Sequence, residues 1–190
     1  MKSILLVDNH DSFTWNLAEL LRQNRKITFN IIRPENLETG DIEKYDKVIF
    51  SPGPGLPDEF PLMKSILGYY YTRKPVLGVC LGHQAIGLFF GARLVHLDRV
   101  VHGQIRNLNI TYPDHYLFRE IGQNTEIGLY HSWTIESHGF PDSLEILGVS
   151  EEGHIMAMCH KVYDICGVKF HPESIITRQG KKLLDNWIEH

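Results

Sequence analysis

Cysteine is scarce in this chain, with three among 190 residues, at positions 80, 159 and 166. An odd count with no close pairs excludes a disulfide framework and a Cys-rich zinc site, and fits a reducing compartment. Cys159 and Cys166 therefore read as core residues. Long apolar runs are missing too. None reaches the roughly 20 residues that cross a bilayer, and Met1-Lys2-Ser3 leads straight into a strand without an export signal. A cytoplasmic protein with no membrane partner is expected. There is no basic excess either: 19 Lys and Arg against 23 Asp and Glu leave a net charge of −4, with a pI near 6.2. Nothing in that balance calls for nucleic acid as a partner. The phosphate-loop pattern Gly-x-x-x-x-Gly-Lys is absent, and the 11 histidines are mostly scattered without ligand spacing.

What is present fits one domain over residues 1–190, with 43% hydrophobic residues to build its core. Ser3 to Val7 reads as a short apolar strand and Phe13 to Asn24 as an amphipathic helix, with Asp11 or Ser12 as its cap. Ile27 to Ile32 and Lys47 to Phe50 read as further strands, followed by a helix over Glu59 to Tyr71. Strands alternating with helices imply right-handed crossovers and a mostly parallel open sheet, flanked by helices on both faces. From about Ala92 to Val162 short alternating segments separated by Gly, Asn and Pro suggest an added antiparallel section. A last strand near Ile165 to Phe170 returns to the sheet, and Lys181 to Glu189 closes the chain as a helix.

Chemistry gathers in three segments. In Gly78-Val79-Cys80-Leu81-Gly82-His83-Gln84 a cysteine stands between two glycines, after the apolar run Val76, Leu77, Val79 and before a helix read as starting over Gln84 to Phe90. This is the sequence form of a nucleophile elbow, and the positive end of the helix would favour a thiolate. Taken alone, Cys80 reads equally well as a small apolar filler. Far downstream, Phe170-His171-Pro172-Glu173-Ser174 sets an imidazole and a carboxylate on the same side of a strand end stopped by Pro172, a base together with the group that orients it. Between them, Ser51-Pro52-Gly53-Pro54-Gly55-Leu56-Pro57 follows its strand as a stiff loop. It reads either as an ordinary rigid turn or as a donor of backbone amides, with Gly55 N–H and Leu81 N–H forming an oxyanion hole. Asp8, Ser51, Cys80 and His171 all fall at carboxyl ends of strands, where open parallel sheets bind ligands.

These segments, with Tyr130-His131-Ser132, resemble the triad-type (class I) glutamine amidotransferases. The opening Val7-Asp8-Asn9-His10-Asp11-Ser12-Phe13-Thr14-Trp15-Asn16-Leu17 narrows the likeness to the glutaminase components of anthranilate and aminodeoxychorismate (para-aminobenzoate) synthases. The resemblance spans essentially the whole chain. It implies a flavodoxin-like amidotransferase fold and hydrolysis of L-glutamine by Cys80, His171 and Glu173. It also implies ammonia transfer to a chorismate-binding synthase subunit, with no metal or organic cofactor. The glutamine pocket is implied at Gly53, Pro54 and Gly55, the Gln84 side chain, and the backbone of Ser132 and Trp133.

Four features depart from the family pattern: Leu129 and Trp133 flank Tyr-His-Ser, Gln104 ends His102-Gly103-Gln104, and Lys169 stands where a glutamine usually precedes Phe-His-Pro-Glu. Leu129 and Trp133 imply a different rim for the glutamine pocket; all four are expected away from the triad, and as surface positions near the site they bear on partner recognition. Alternative readings are a glutaminase serving another synthetase, such as one for guanylate or carbamoyl phosphate, a non-catalytic regulatory homologue, or a cysteine-elbow peptidase.

Overall fold

The computed structural model describes residues 1–190, without the side chains of residues 98–102 and 131. Among the described residues nine strands form one sheet in the order β2-β1-β3-β4-β9-β8-β7-β5-β6. The first five, β2 (Ile27–Ile32), β1 (Lys2–Val7), β3 (Lys47–Phe50), β4 (Val76–Val79) and β9 (Ile165–Val168), run parallel. The other four, β8 (Ile155–His160), β7 (Leu144–Val149), β5 (Leu94–Ile110) and β6 (Thr125–Ile135), pair antiparallel and extend the sheet beyond β9.

Burial explains the parallel half. Strands β3, β4 and β9 are buried at every residue, as expected for strands covered on both faces. Their period of two sorts side chains between two cores. Ile4 and Leu6 of β1, Leu77 of β4 and Val168 of β9 pack in one core with Leu17 and Leu21 of α1 (Phe13–Arg22) and Leu183 and Trp187 of α4 (Gly180–Glu189). Leu5 and Val7 of β1, Val76 of β4 and Ile165 of β9 pack in the other core with Met63, Ile66 and Leu67 of α2 (Pro61–Tyr70) and Ala85 and Ile86 of α3 (Leu81–Phe89). Each such buried aliphatic side chain contributes about 1.5–3 kcal/mol of transfer free energy. Helix α1 is capped through Asp11, whose Oδ1 accepts the Phe13 N–H at 2.8 Å, while Ser12 makes no side-chain cap bond.

Several element ends shift by a few residues from expectation, and two of the differences bear on the site. Helix α3 starts at Leu81 rather than Gln84, so the turn at Cys80 has no spacer. Strand β9 ends at Val168, short of Phe170. Beyond it the chain changes partners: Lys169 N still donates to Met156 O of β8 at 2.8 Å, but His171 N donates to Gly128 O of β6 at 3.1 Å. His171 and Glu173 therefore lie in an irregular turn, closed by Ser174 N donating to His171 O at 3.1 Å. A turn, and not strand alternation, brings their side chains together.

Candidate active site

Strands β1, β3 and β4 lead directly into Asp8, Ser51 and Cys80, and β9 leads into residues 169–173, all at one edge of the sheet. Cys80 sits at φ 51°, ψ −96°, a backbone region that side-chain-bearing residues rarely adopt and that costs about 1–3 kcal/mol. Its N–H donates to Val168 O at 2.9 Å, and its carbonyl accepts from Gln84 N at 3.1 Å. The flanking glycines are required by close approach. A Cβ on Gly78 would come within 2.4 Å of the Gly82 carbonyl, and one on Gly82 within 2.6 Å of Phe50 Cβ.

Glu173 Oε1 lies 2.7 Å from His171 Nδ1. Thr177 Oγ1 donates to the His171 carbonyl at 2.6 Å and accepts from Gly128 N at 3.0 Å, fastening the turn to β6. The rings of Phe13 and Tyr130 stand 4.8 and 4.9 Å from the imidazole, and Tyr130 Oη shares a hydrogen bond with Ser174 Oγ at 3.1 Å. Among the described residues His171 Nε2 is buried without a hydrogen-bond partner, and the charge that most favours its imidazolium form is the Cys80 thiolate. Resting sites often hold such contacts loosely.

The charges favour a thiolate. Burial pushes the Cys80 thiol up, but the Lys169 ammonium and then the His171 imidazolium outweigh it and bring its pKa down to about 7. Burial opposes the charge on His171, and the Cys80 thiolate and Glu173 carboxylate overcome this, raising the imidazole to about 10. By contrast burial, then the Glu145 carboxylate, raises Cys159 to about 11, and Cys166 is pushed well above the usual thiol range, chiefly by burial.

A cavity of about 360 Å³ opens beside the sulfur, lined by Gly53, Pro54, Gly55, Cys80, Gln84, Ser132 and Trp133 together with His96, Tyr130 and Lys169. Every residue expected in the glutamine pocket is therefore on its wall. His171 and Glu173 are not; both are buried. Gln84 Nε2 donates to Trp133 O at 3.1 Å, so part of that amide is engaged in joining α3 to β6. Gly55 has φ +67°, where a Cβ would meet Glu59 Oε1 at 2.1 Å, and Glu59 Oε1 accepts the Leu56 N–H at 2.7 Å. Leu81 opens α3, which leaves its amide without a helical partner. The loop is held from beneath by Asn9, whose N–H donates to Ser51 Oγ at 2.9 Å and whose Nδ2 donates to Ser51 O at 3.0 Å.

Asn9, Phe13 and Thr177 have structural parts at the site that no role in the sequence reading covered. The first two lie in the Val7-to-Leu17 opening segment, so position in that segment was the available signal. Lys169 corrects an expectation outright: it is fully buried, with Nζ 3.8 Å from Cys80 Sγ, and belongs to the site instead of a docking surface. Leu129 is likewise core, Gln104 is exposed, and His102 and His131 lie outside the described residues.

Comparison with known proteins places the chain in a family. The chain is 38% identical over 187 residues to the aminodeoxychorismate synthase component 2 of Escherichia coli, covering 97% of this chain and 98% of that one. It is 38% identical over 195 residues to the anthranilate synthase component 2 of Cyanophora paradoxa, covering 97% of each. A solved glutamine amidotransferase from Thermotoga maritima shares the fold, with a TM-score of 0.74 at 19% identity over 99% of this chain and 81% of that one. Residues 5–190 match the family model "Glutamine amidotransferase class-I", and the chain belongs to the class I glutamine amidotransferases.

Proposed function

We propose that the chain is a glutaminase component that hydrolyses L-glutamine through Cys80, His171 and Glu173 and passes the ammonia to a chorismate-binding synthase subunit. The observation that carries this reading is the convergence, at one sheet edge, of a thiol on a strained elbow with a buried imidazole–carboxylate pair, beside a cavity of about 360 Å³. The relatives named as components 2 of anthranilate and aminodeoxychorismate synthase support the partner and the acceptor.

In this mechanism the Cys80 thiolate attacks the carboxamide carbon of glutamine. A C–S bond forms and the carbonyl π pair moves to oxygen, where the Gly55 and Leu81 amides stabilise the developing charge. Collapse of the tetrahedral adduct breaks the C–N bond, and His171 delivers its Nε2 proton to the departing nitrogen, so ammonia leaves. The neutral imidazole then takes a proton from water as the hydroxyl attacks the thioester. The second collapse expels the thiolate and yields glutamate. Glu173 fixes the ring through Nδ1 and stabilises its cationic form. Gly53, Pro54, Gln84 and the backbone of Ser132 and Trp133 position the amino-acid head.

The test uses the complex of this chain with the chorismate-binding subunit that co-purifies with it. Cys80→Ser is expected to remove glutamine-dependent amination of chorismate while ammonium-dependent amination persists. Glutamine-dependent synthesis that survives the substitution overturns the assignment. Product analysis of the intact complex distinguishes anthranilate from aminodeoxychorismate. Glutaminase turnover of the isolated chain is expected to be low and to rise when the subunit binds; equal turnover in both states argues against coupling.

A further inference from the structure

Lys169 is a buried ionisable group for which the glutaminase reading has no use. Its side chain is fully buried, yet among the described residues no carboxylate comes within ion-pair distance of it, and its only side-chain hydrogen bond is to Cys80 Sγ at 3.8 Å. An ammonium taken out of water without an anion is strongly disfavoured, and here the thiolate is the anion within reach. The surrounding groups offer no substitute. His83, from α3, is kept neutral by burial and by Lys169 itself, its pKa driven down to about 3. Glu173 is committed to His171. His171, from the turn after β9, has the same sign as Lys169. Tyr130 and His96, from β6 and β5, complete the cavity wall.

We propose that Lys169 is a positioning residue, an internal counter-ion that holds the Cys80 sulfur as a thiolate without relying on His171. The proposal rests on the reading of Cys80 as nucleophile. Its chemical consequence concerns both half-reactions. When sulfur is acylated it loses its charge, and the buried ammonium is left without an anion; when water attacks the thioester, the electron pair of the breaking C–S bond returns to a sulfur already facing a cation. Lys169 thus favours expulsion of the thiolate in deacylation; burial lowers its own affinity for a proton and the Cys80 thiolate raises it, so the two charges support each other. His171 is then free to hold its proton for the departing nitrogen.

The experiment measures alkylation of Cys80 by iodoacetamide against pH in the full chain, read by mass spectrometry of the Cys80 peptide. Wild type is compared with Lys169→Gln, Lys169→Met, Lys169→Arg, His171→Gln and the double variant Lys169→Gln/His171→Gln. In Lys169→Gln and Lys169→Met the midpoint should rise by about one pH unit, slowing alkylation below the midpoint about tenfold. Lys169→Arg should stay near wild type. His171→Gln should retain a midpoint below that of an ordinary thiol, and the double variant should titrate as an ordinary thiol. An unchanged midpoint in Lys169→Gln overturns the proposal, as does an ordinary thiol in His171→Gln alone. If the Lys169 variants do not fold, the ultraviolet absorbance of the thiolate in His171→Gln, referenced to Cys80→Ser/His171→Gln, decides in the same way. Failure of the underlying reading looks different: Cys80 would titrate low while the wild-type complex failed to turn over glutamine.

Discussion

Glu173 places Oε1 2.7 Å from His171 Nδ1, with both side chains withdrawn from solvent at 0% and 2% exposure. In that setting the carboxylate is not screened by water, so it fixes which imidazole nitrogen carries a proton and which faces the sulfur. Glu173→Gln retains the shape and removes the charge. Glutamine turnover in the complex should fall by about 10² or more, with ammonium-dependent amination unaffected. A variant with wild-type turnover would mean the pair is structural only.

The pH profile follows from the same charges. The competent form carries a thiolate and an imidazolium, so it is populated above the Cys80 pKa of about 7 and below the His171 pKa of about 10. The kcat/KM for glutamine, followed as glutamate release by the complex, should rise with pH through about 7 and fall through about 10. Glu173→Gln removes one support of the imidazolium, which should move the basic limb to lower pH.

Labelling tests the contrast among the three thiols. At pH 7.5, taken as about half a unit above the Cys80 midpoint, iodoacetamide should modify Cys80 and leave Cys159 and Cys166 intact, because burial raises both. Peptide mapping reads the result. Faster labelling of Cys166 would contradict the buried cluster seen around it.

Gly180 packs closely against the turn that carries His171 and Glu173. A Cβ there would stand 1.8 Å from the Pro172 carbonyl, inside the turn that carries the imidazole and its carboxylate. Gly180→Ala must therefore displace either α4 or that turn. It should cost about 1–3 kcal/mol in urea denaturation and reduce glutamine turnover about tenfold or more. Gly68, in α2, has nothing within 4 Å of an added Cβ. Gly68→Ala should instead raise stability by up to about 1 kcal/mol and leave turnover unchanged.

Gln84→Ala removes the Nε2 contact with Trp133 O at 3.1 Å. The cavity wall loses its tie between α3 and β6, so KM for glutamine should rise about tenfold with a smaller change in kcat. A large loss of kcat with KM unchanged would place Gln84 in the chemistry itself.

Regular elements were readable in the sequence where one force dominates. Ile27–Ile32 and Lys47–Phe50 are short segments rich in Ile, Val and Phe, and both strands have the expected bounds. The helix over residues 61–70 begins at Pro61, which suits a first helical position and stops the element short of Glu59. The elbow was readable because its glycines are demanded by backbone contacts as short as 2.4 Å. The arrangement of His171 and Glu173 was readable as a pairing but not as a geometry. Alternation continues past Val168, and what ends the strand is a change of hydrogen-bond partner from Met156 to Gly128, which depends on tertiary structure. Lys169 was misplaced for a related reason. A lysine is normally solvated, and its burial beside Cys80, 89 positions away in the chain, is a product of tertiary structure.

Strand β6 is the last in the sheet, and its backbone grips two unlike parts of the molecule. Gly128 holds the imidazole's turn through its N–H and carbonyl, and Trp133 holds the helix behind the nucleophile. One ribbon at the border of the fold thus spans the His171 turn and the Cys80 elbow like the frame of a caliper. Any load that slides or tilts this ribbon alters the gap between the two jaws, even when it is applied where no reacting atom is touched.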